Sequence, residues 1–558
     1  MFASTNTVPR EIPVAAEPDE EFEKALVASL EAPVSYSEIL EAIGQAKRNK
    51  AFGPDLVRNE HLKDTPYIWP ILLAIFNRCL DEGYVPEAWR ECILRVIPKE
   101  KGDPTDVQSW RGIAKKSCIY KILASVLTKR LSIFFHHRNI IPQVQNGFRQ
   151  GKSVITACTK LLSEVKRSLE LHKSRGRFLY ALFVDLKAAF DTAPRNVVLQ
   201  KLANAGVGPK TLTLIASILQ ANPIILDDSI CEHEPVIQTT GYAQGDNLSP
   251  LLFSTLLSDL PPIIHKEHDT VGIILYADDI VMYSRDKLEL QRSIRTLEGY
   301  CENNGLKINA EKTKAIKFRP GGPLARSDRL KLSTGAVEFV NTFCYLGVNF
   351  SMKGTTFGQH IAERTRKSLV AMSTIEKPQQ LSLTTLKALF DLKVASVAAY
   401  GIQVIWEHLS LSQLEKLDKV KPTFFKLAIG LPRNAKNRLV YLMTSTQPLV
   451  EDLVTRLCLS ETAALIQFRE NFMKKVRAVP GSFFNSPAMV TQNWQRPLQP
   501  NRHLVTRYSL HGFHHKLCHR RGFHDPDVGC LCRLCNQPCP IYHLDTCQRA
   551  ISLTQLAR

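Results

Sequence analysis

From about residue 88 to residue 350 the hydrophobic positions follow two rhythms. Short apolar runs of strand length alternate with stretches in which apolar residues recur at helical spacing, which predicts an α+β or α/β body. Residues 35–87 precede it as a helical extension. There Ser35-Tyr36-Ser37-Glu38 fits a capping box that places Ile39, Leu40 and Ile43 on one helix face, and Gly53-Pro54 ends the segment. Residues 351–475 follow it, with helical apolar spacing and few β-branched runs over 380–470, and predict a mostly helical domain. Residues 1–34 are acidic and unpatterned, a flexible lead-in. Residues 476–527 combine a stretch rich in Pro, Ser, Asn and Gln with a basic, His-containing strip, and read as a linker. Residues 528–558 form a Cys/His segment, and no internal repeat is visible.

One apolar hairpin stands out. Ile273-Ile274-Leu275 and Ile280-Val281-Met282 read as two buried strands, and Tyr276-Ala277-Asp278-Asp279 joins them. An Asp pair at a strand turn is ordinary turn chemistry. Two adjacent carboxylates in a partly desolvated place also repel each other, and hard divalent ions such as Mg²⁺ relieve that cost. A second acid, Asp185, ends the strand that finishes with Phe183-Val184. Three carboxylates on neighbouring strands would suit two Mg²⁺ ions and in-line nucleotidyl transfer. Between the two sites, Gln244-Gly245 permits close backbone approach to a ligand, and Ser249-Pro250 reads as a helix N-cap and first helical position.

Charge narrows the partners. The 558 residues carry a formal net charge of +19, with a pI near 9.3, which favours nucleic acid or an anionic surface. No apolar run is long enough to span a membrane, and the N-terminus lacks a basic-then-apolar leader, so an intracellular protein without membrane partners is expected. Of the 14 cysteines, eight are scattered over residues 79–458 and read as reduced, buried side chains. Near the C-terminus, Cys532, Cys535, His543 and Cys547 give C-x2-C-x7-H-x3-C, a spacing suited to one tetrahedral Zn²⁺, with Cys530 and Cys539 in surplus.

The order of strand-Asp, Q-G-x-x-x-S-P and Tyr-Ala-Asp-Asp resembles the palm motifs of reverse transcriptases, in particular those of non-LTR (LINE-type) retrotransposons. The resemblance runs from about residue 35 to residue 547. It includes KAFGPD (50–55), IPKEKGDPTDVQSWRGI (97–113), QNGFRQGKS (145–153), GLKINAEKTK (305–314) and FCYLGV (343–348). It implies a right-hand polymerase of fingers, palm and thumb followed by a zinc knuckle. Asp185, Asp278 and Asp279 would be the catalytic Mg²⁺ carboxylates, and Lys312 a proton donor to pyrophosphate. Lys99 and Arg111 would contact the incoming triphosphate, and Phe190 would exclude the sugar 2′-hydroxyl. Gln244 and Gly245 would lie along the nascent base pair, and Tyr345, Leu346 and Gly347 would grip the primer. The partners implied are an RNA template, a DNA primer or target, and dNTPs, and the implied location is the nucleus.

Two departures matter. The family's WRPI is Trp110-Arg111-Gly112-Ile113 here, and Ala114-Lys115-Lys116 follows where small apolar residues are usual. They raise the alternative of a decayed copy that only binds RNA or DNA. Phe190 and the Tyr-Ala-Asp-Asp form argue against an RNA-dependent RNA polymerase. The endonuclease that such elements encode fits neither before residue 35 nor after Cys547, so a polymerase without its own nuclease is expected.

Overall fold

The computed structural model describes residues 21–99, 103, 105, 106, 109–171, 176–227, 234–477, 524, 525, 529 and 530. Eight strands organise its first unit: β1 Cys92–Pro98, β2 Trp110–Lys116, β3 Leu179–Val184, β4 Asn222–Leu226, β5 Val236–Gln238, β6 Gly272–Tyr276, β7 Asp279–Ser284 and β8 Lys314–Phe318. They form two sheets. The smaller runs β2-β1-β4-β5; the larger runs β8-β3-β7-β6, with a short strand at Glu338–Phe339 beyond β8. In the larger sheet β3 pairs antiparallel with both β7 and β8, and β6 with β7.

The pattern explains which strand is central. Every residue of β3 is buried, as a strand covered on both faces requires. On one face Tyr180, Leu182 and Val184 join Ile273, Leu275, Ile280 and Met282 in the main core. Helices Cys118–His137, Arg195–Asn204, Pro209–Ile218, Ser249–Leu256 and Lys287–Asn303 also supply that core. Helix Val154–Leu169 packs on β3 and β6, and Phe183 stacks on Phe343 with ring centroids 4.3 Å apart.

The N-terminal extension is helical as expected. Ser35 caps helix Tyr36–Gln45 with the reciprocal Ser35–Glu38 box, an arrangement worth about 1 kcal/mol. The lead-in differs from expectation: Glu21–Glu31 is a helix with Leu30 buried. Its Leu26, Val27 and Leu30 pack on the core, while Glu23 pairs with Arg138 at 3.0 Å. A charged outer face concealed an amphipathic helix. The Ser249-Pro250 helix start also shifts by one residue. Ser249 is the first helical residue and its hydroxyl donates to the Ala243 carbonyl, while Asp246 accepts from the Leu248 N–H.

A second unit comprises residues 344–351 and those from Thr355 onward. Its described part is mostly helical, as its apolar spacing predicts, and includes Gly358–Ser373, a π-helical segment at Phe390–Ala395 and Val420–Ile429. Phe390, Phe424 and Phe425 form its aromatic centre, with ring centroids 5.1–5.7 Å apart. Cysteines 79, 92, 118, 158 and 301 are buried, but Cys344 and Cys458 are exposed, against expectation, and Cys231 lies outside the described residues. Among the described residues no single helix is long and apolar enough to cross a membrane.

Candidate active site

The register of the larger sheet brings the acids together. Val184 of β3 lies opposite Ile280 of β7, so the next step along each strand carries Asp185 and Asp279. Tyr276 pairs with Asp279 across the β6–β7 turn, which leaves Ala277 and Asp278 as a two-residue loop at the tip. The three carboxylates feel one another. Burial pushes the Asp278 carboxyl above its ordinary range, Asp185's charge adds to the rise, and the Arg111 guanidinium opposes it. Asp279 is pushed up to about 7, first by burial and then by Asp278 and Asp185. The expected trio is therefore assembled. Among the described residues, however, no group of three or more His, Cys, Asp or Glu side chains is placed closely enough to hold a metal ion.

Two distant segments hold these acids. Residues 307–313 run beside Asp185: the Asn309 N–H donates to the Asp185 carbonyl at 2.8 Å, and the Asp185 N–H donates to the fully buried Thr313 hydroxyl at 3.3 Å. Lys312 lies in this segment with its side chain exposed, and it sits in a turn. Residues 144–147 run beside the hairpin tip. The Leu275 N–H donates to the Val144 carbonyl at 3.0 Å, and the Asn146 N–H to the Leu275 carbonyl at 2.8 Å. Gln145, 1% exposed, reaches Ala277 at the turn. Sequence reading assigned Gln145 no role.

The smaller sheet supplies cations. Arg111 on β2 stands opposite Ile97 of β1, exposed, with its charge acting on Asp278. Lys99 follows β1, and its backbone N–H donates to the Ser109 carbonyl at 2.8 Å. Its charge acts on Asp191, a carboxylate the sequence did not single out. Burial raises the Asp191 carboxyl, while the Gln244 amide, which donates to it at 3.3 Å, and Lys99 oppose the rise. Phe190 stacks on Phe253 at 4.5 Å between centroids, and its carbonyl accepts from the Tyr242 N–H at 2.7 Å, so its ring is fixed. The Gln244 carbonyl accepts from the Ala114 N–H at 2.8 Å, which ties the loop to β2. Gly245, with φ 105°, follows in a backbone conformation that disfavours any side chain.

Residues 97–350 match the family model described as Reverse transcriptase (RNA-dependent DNA polymerase). This segment is a reverse transcriptase domain. The curated proteins it resembles are polymerases of mobile elements of the non-LTR kind. The chain is 27% identical over 388 residues to a probable RNA-directed DNA polymerase from transposon BS of Drosophila melanogaster, covering 67% of this chain and 42% of that one. It is 26% identical over 421 residues to the RNA-directed DNA polymerase from mobile element jockey of the same organism, covering 73% and 45%. A Pol polyprotein from the type-1 retrotransposable element R2 of Popillia japonica is 23% identical, covering 64% and 50%. The chain thus spans about half the length of the curated relatives it matches. The mixed helix-and-sheet body fits a right-hand polymerase.

The reverse transcriptase domain accommodates both of its departures from the family pattern. A Cβ at Gly112 would stand 2.8 Å from Leu94 Cδ1, so the space beside this glycine is already filled. Lys116 is buried but paired: its Nζ lies 2.8 Å from Asp246 Oδ2 and 4.5 Å from the Tyr120 ring centroid. The Tyr120 hydroxyl also donates to Asp246, at 2.7 Å. Burial alone would raise the Asp246 carboxyl, yet Lys116 and these hydrogen bonds leave it below its ordinary range. In the second unit, Leu346 and Gly347 have φ values of 47° and 79° at the turn after the strand ending at Tyr345. The Tyr400 hydroxyl donates to the Leu346 carbonyl at 2.8 Å, and Arg364 donates to the Gly347 carbonyl at 2.6 Å. Cys532, Cys535, His543 and Cys547 lie outside the described residues.

Proposed function

We propose that the chain is an RNA-directed DNA polymerase that extends a primer 3′-hydroxyl with dNTPs on an RNA template. The observation that carries this is the meeting of Asp185 with Asp278 and Asp279 through the β3–β7 register. Carboxylates pushed upward by burial and mutual repulsion are a donor set that fits hard divalent cations. Bound Mg²⁺ would lower the pKa of the attacking hydroxyl and stabilise the leaving pyrophosphate. The remaining work belongs to side chains. Arg111 and Lys99 offer charge-assisted donors to the triphosphate. Phe190, held against Phe253, presents a ring that a 2′-hydroxyl would strike. Gln244, placed by its bonds to Ala114 and Asp191, lies along the nascent pair, with Gly245 allowing close approach. Lys312, exposed in its turn, is the proton donor to pyrophosphate. The Tyr345-Leu346-Gly347 turn belongs to the primer grip. In the C-terminal segment, Cys532, Cys535, His543 and Cys547 would hold one zinc ion and add a nucleic-acid contact. The expected location is the nucleus.

The test is primer extension by purified protein on an RNA template with Mg²⁺ and dNTPs, beside Asp278→Ala and a parallel series with ribonucleotides. DNA product that vanishes in the variant supports the reading. Preference for ribonucleotides would replace it with an RNA polymerase. RNA binding without any extension would leave a decayed, binding-only copy.

A further inference from the structure

The tip of the acidic hairpin is strained at its buried residue, Ala277. Ala277 has φ 54°, a left-handed conformation for which glycine is the usual residue, and it is 5% exposed. Nothing in the hairpin's own ladder holds this residue, since its pairing ends at Tyr276 and Asp279. The hold comes from one side chain 132 positions earlier. Gln145 Oε1 accepts the Ala277 N–H at 2.9 Å and the Gly147 N–H at 2.9 Å, and Gln145 Nε2 donates to the Ala277 carbonyl at 3.4 Å. The side chain thus engages both polar groups of the strained residue and ties them to its own backbone. Gly147 lets the strap lie this close, because a Cβ there would stand 2.4 Å from Ala277 N.

We infer that Gln145 is a positioning residue that fixes the direction of Asp278 and Asp279 by clamping Ala277 from the 144–147 strap. The inference rests on reading those aspartates as the catalytic carboxylates. Ala277 immediately precedes both acids, so any relaxation of its φ swings their side chains. Misplacement of reacting groups by about 1 Å costs roughly 100-fold in rate. Gln145 is buried beneath the turn, so the effect belongs to the rate constant and not to nucleotide binding.

The experiment compares wild type with Gln145→Leu, Gln145→Glu and Gly147→Ala, reading primer extension and amide hydrogen exchange of the peptide containing residues 275–280. Gln145→Leu keeps the volume and loses all three hydrogen bonds. Gln145→Glu keeps the accepting oxygen. The methyl group added by Gly147→Ala lifts the strap while leaving the Gln145 side chain chemically unchanged. The expected result for Gln145→Leu is a rate constant about 100-fold lower, with the dNTP KM within about twofold and exchange faster only at the hairpin tip. Gly147→Ala should behave alike, and Gln145→Glu should restore exchange protection. Unchanged tip exchange in Gln145→Leu, or a rate loss matched by exchange across the whole palm, would overturn the inference. If wild type itself extends no primer, the polymerase reading fails, and the exchange measurements still decide whether Gln145 holds the tip.

Discussion

A buried acid and a half-buried to exposed pair of acids in the same domain behave in opposite ways. Asp246 is almost fully enclosed, yet Lys116, Tyr120 and the Leu248 N–H surround it and keep its carboxyl low. Asp278 and Asp279 stand beside another acid, and their carboxyls are raised. Burial acts in the same direction on both groups. The difference lies in whether the protein itself supplies the countercharge. On the proposed reading, a fold that neutralises Asp246 so fully and leaves the hairpin acids beside one another would leave the second place to a charge from outside. Perturbed carboxylates in that condition mark functional sites.

Removing the unneutralised charge should damage chemistry and spare the fold. Asp278→Ala is expected to lower primer extension about 1000-fold, the scale seen when a preorganised electrostatic partner of a reaction is deleted. Its thermal midpoint should be no lower than wild type, because a repelled carboxylate has gone; a clear drop in the midpoint would mean that Asp278 is structural. Breaking the neutralised pair should do the reverse. Lys116→Met leaves Asp246 buried without its cation and is expected to cost about 3 kcal/mol in denaturant unfolding. Lys116→Met combined with Asp246→Asn should recover most of that loss. If the double variant stays as unstable as the single one, packing and not charge holds this site.

The contrast also divides what could be read from the chain alone. The larger sheet was legible because Leu179–Val184 and the two hairpin strands are unbroken apolar runs with acids at their ends, and antiparallel register did the rest. The partners were not legible. Asp246 meets Lys116 across 130 residues, and Gln145 meets Ala277 across 132. No local period encodes such pairings, so Lys116 read as a sign of decay and Gln145 as part of a family signature with no role. The helix Glu21–Glu31 was missed because its acidic residues outweighed the spacing of Leu26, Val27 and Leu30. Ser249 read as a cap because Pro250 follows it, whereas its hydroxyl turns back to the Ala243 carbonyl and Asp246 accepts the Leu248 N–H at that helix start. Asp191 carried one faint cue, an acid directly after Phe190.

Phe190 sharpens the comparison with a neutral group. On the proposed reading it acts by shape, so Phe190→Ala should leave dNTP extension within a few-fold of wild type and raise ribonucleotide use relative to dNTPs by up to roughly 100-fold. Competition between dCTP and CTP at a single template position measures that ratio directly. No change in the ratio would show that the ring stacked on Phe253 only packs the palm.

The smallest effect is the pH response of the neutralised pair. Asp246's folded carboxyl lies below its ordinary value, near 3.8, so the folded state binds fewer protons than the unfolded state in the interval between them. Its contribution to stability is therefore complete above about pH 4 and is lost as pH falls through the folded value. Lys116→Met reverses the sign. Without the cation, burial raises the Asp246 carboxyl, and protonation then relieves the variant where it weakens wild type. The stability gap between the two proteins should narrow steadily from about pH 5 to about pH 3, read as thermal midpoints at constant ionic strength. A gap that holds constant across that range would mean that Asp246 gains nothing from Lys116's charge, and the opposition between the two acid groups would reduce to their distance from solvent.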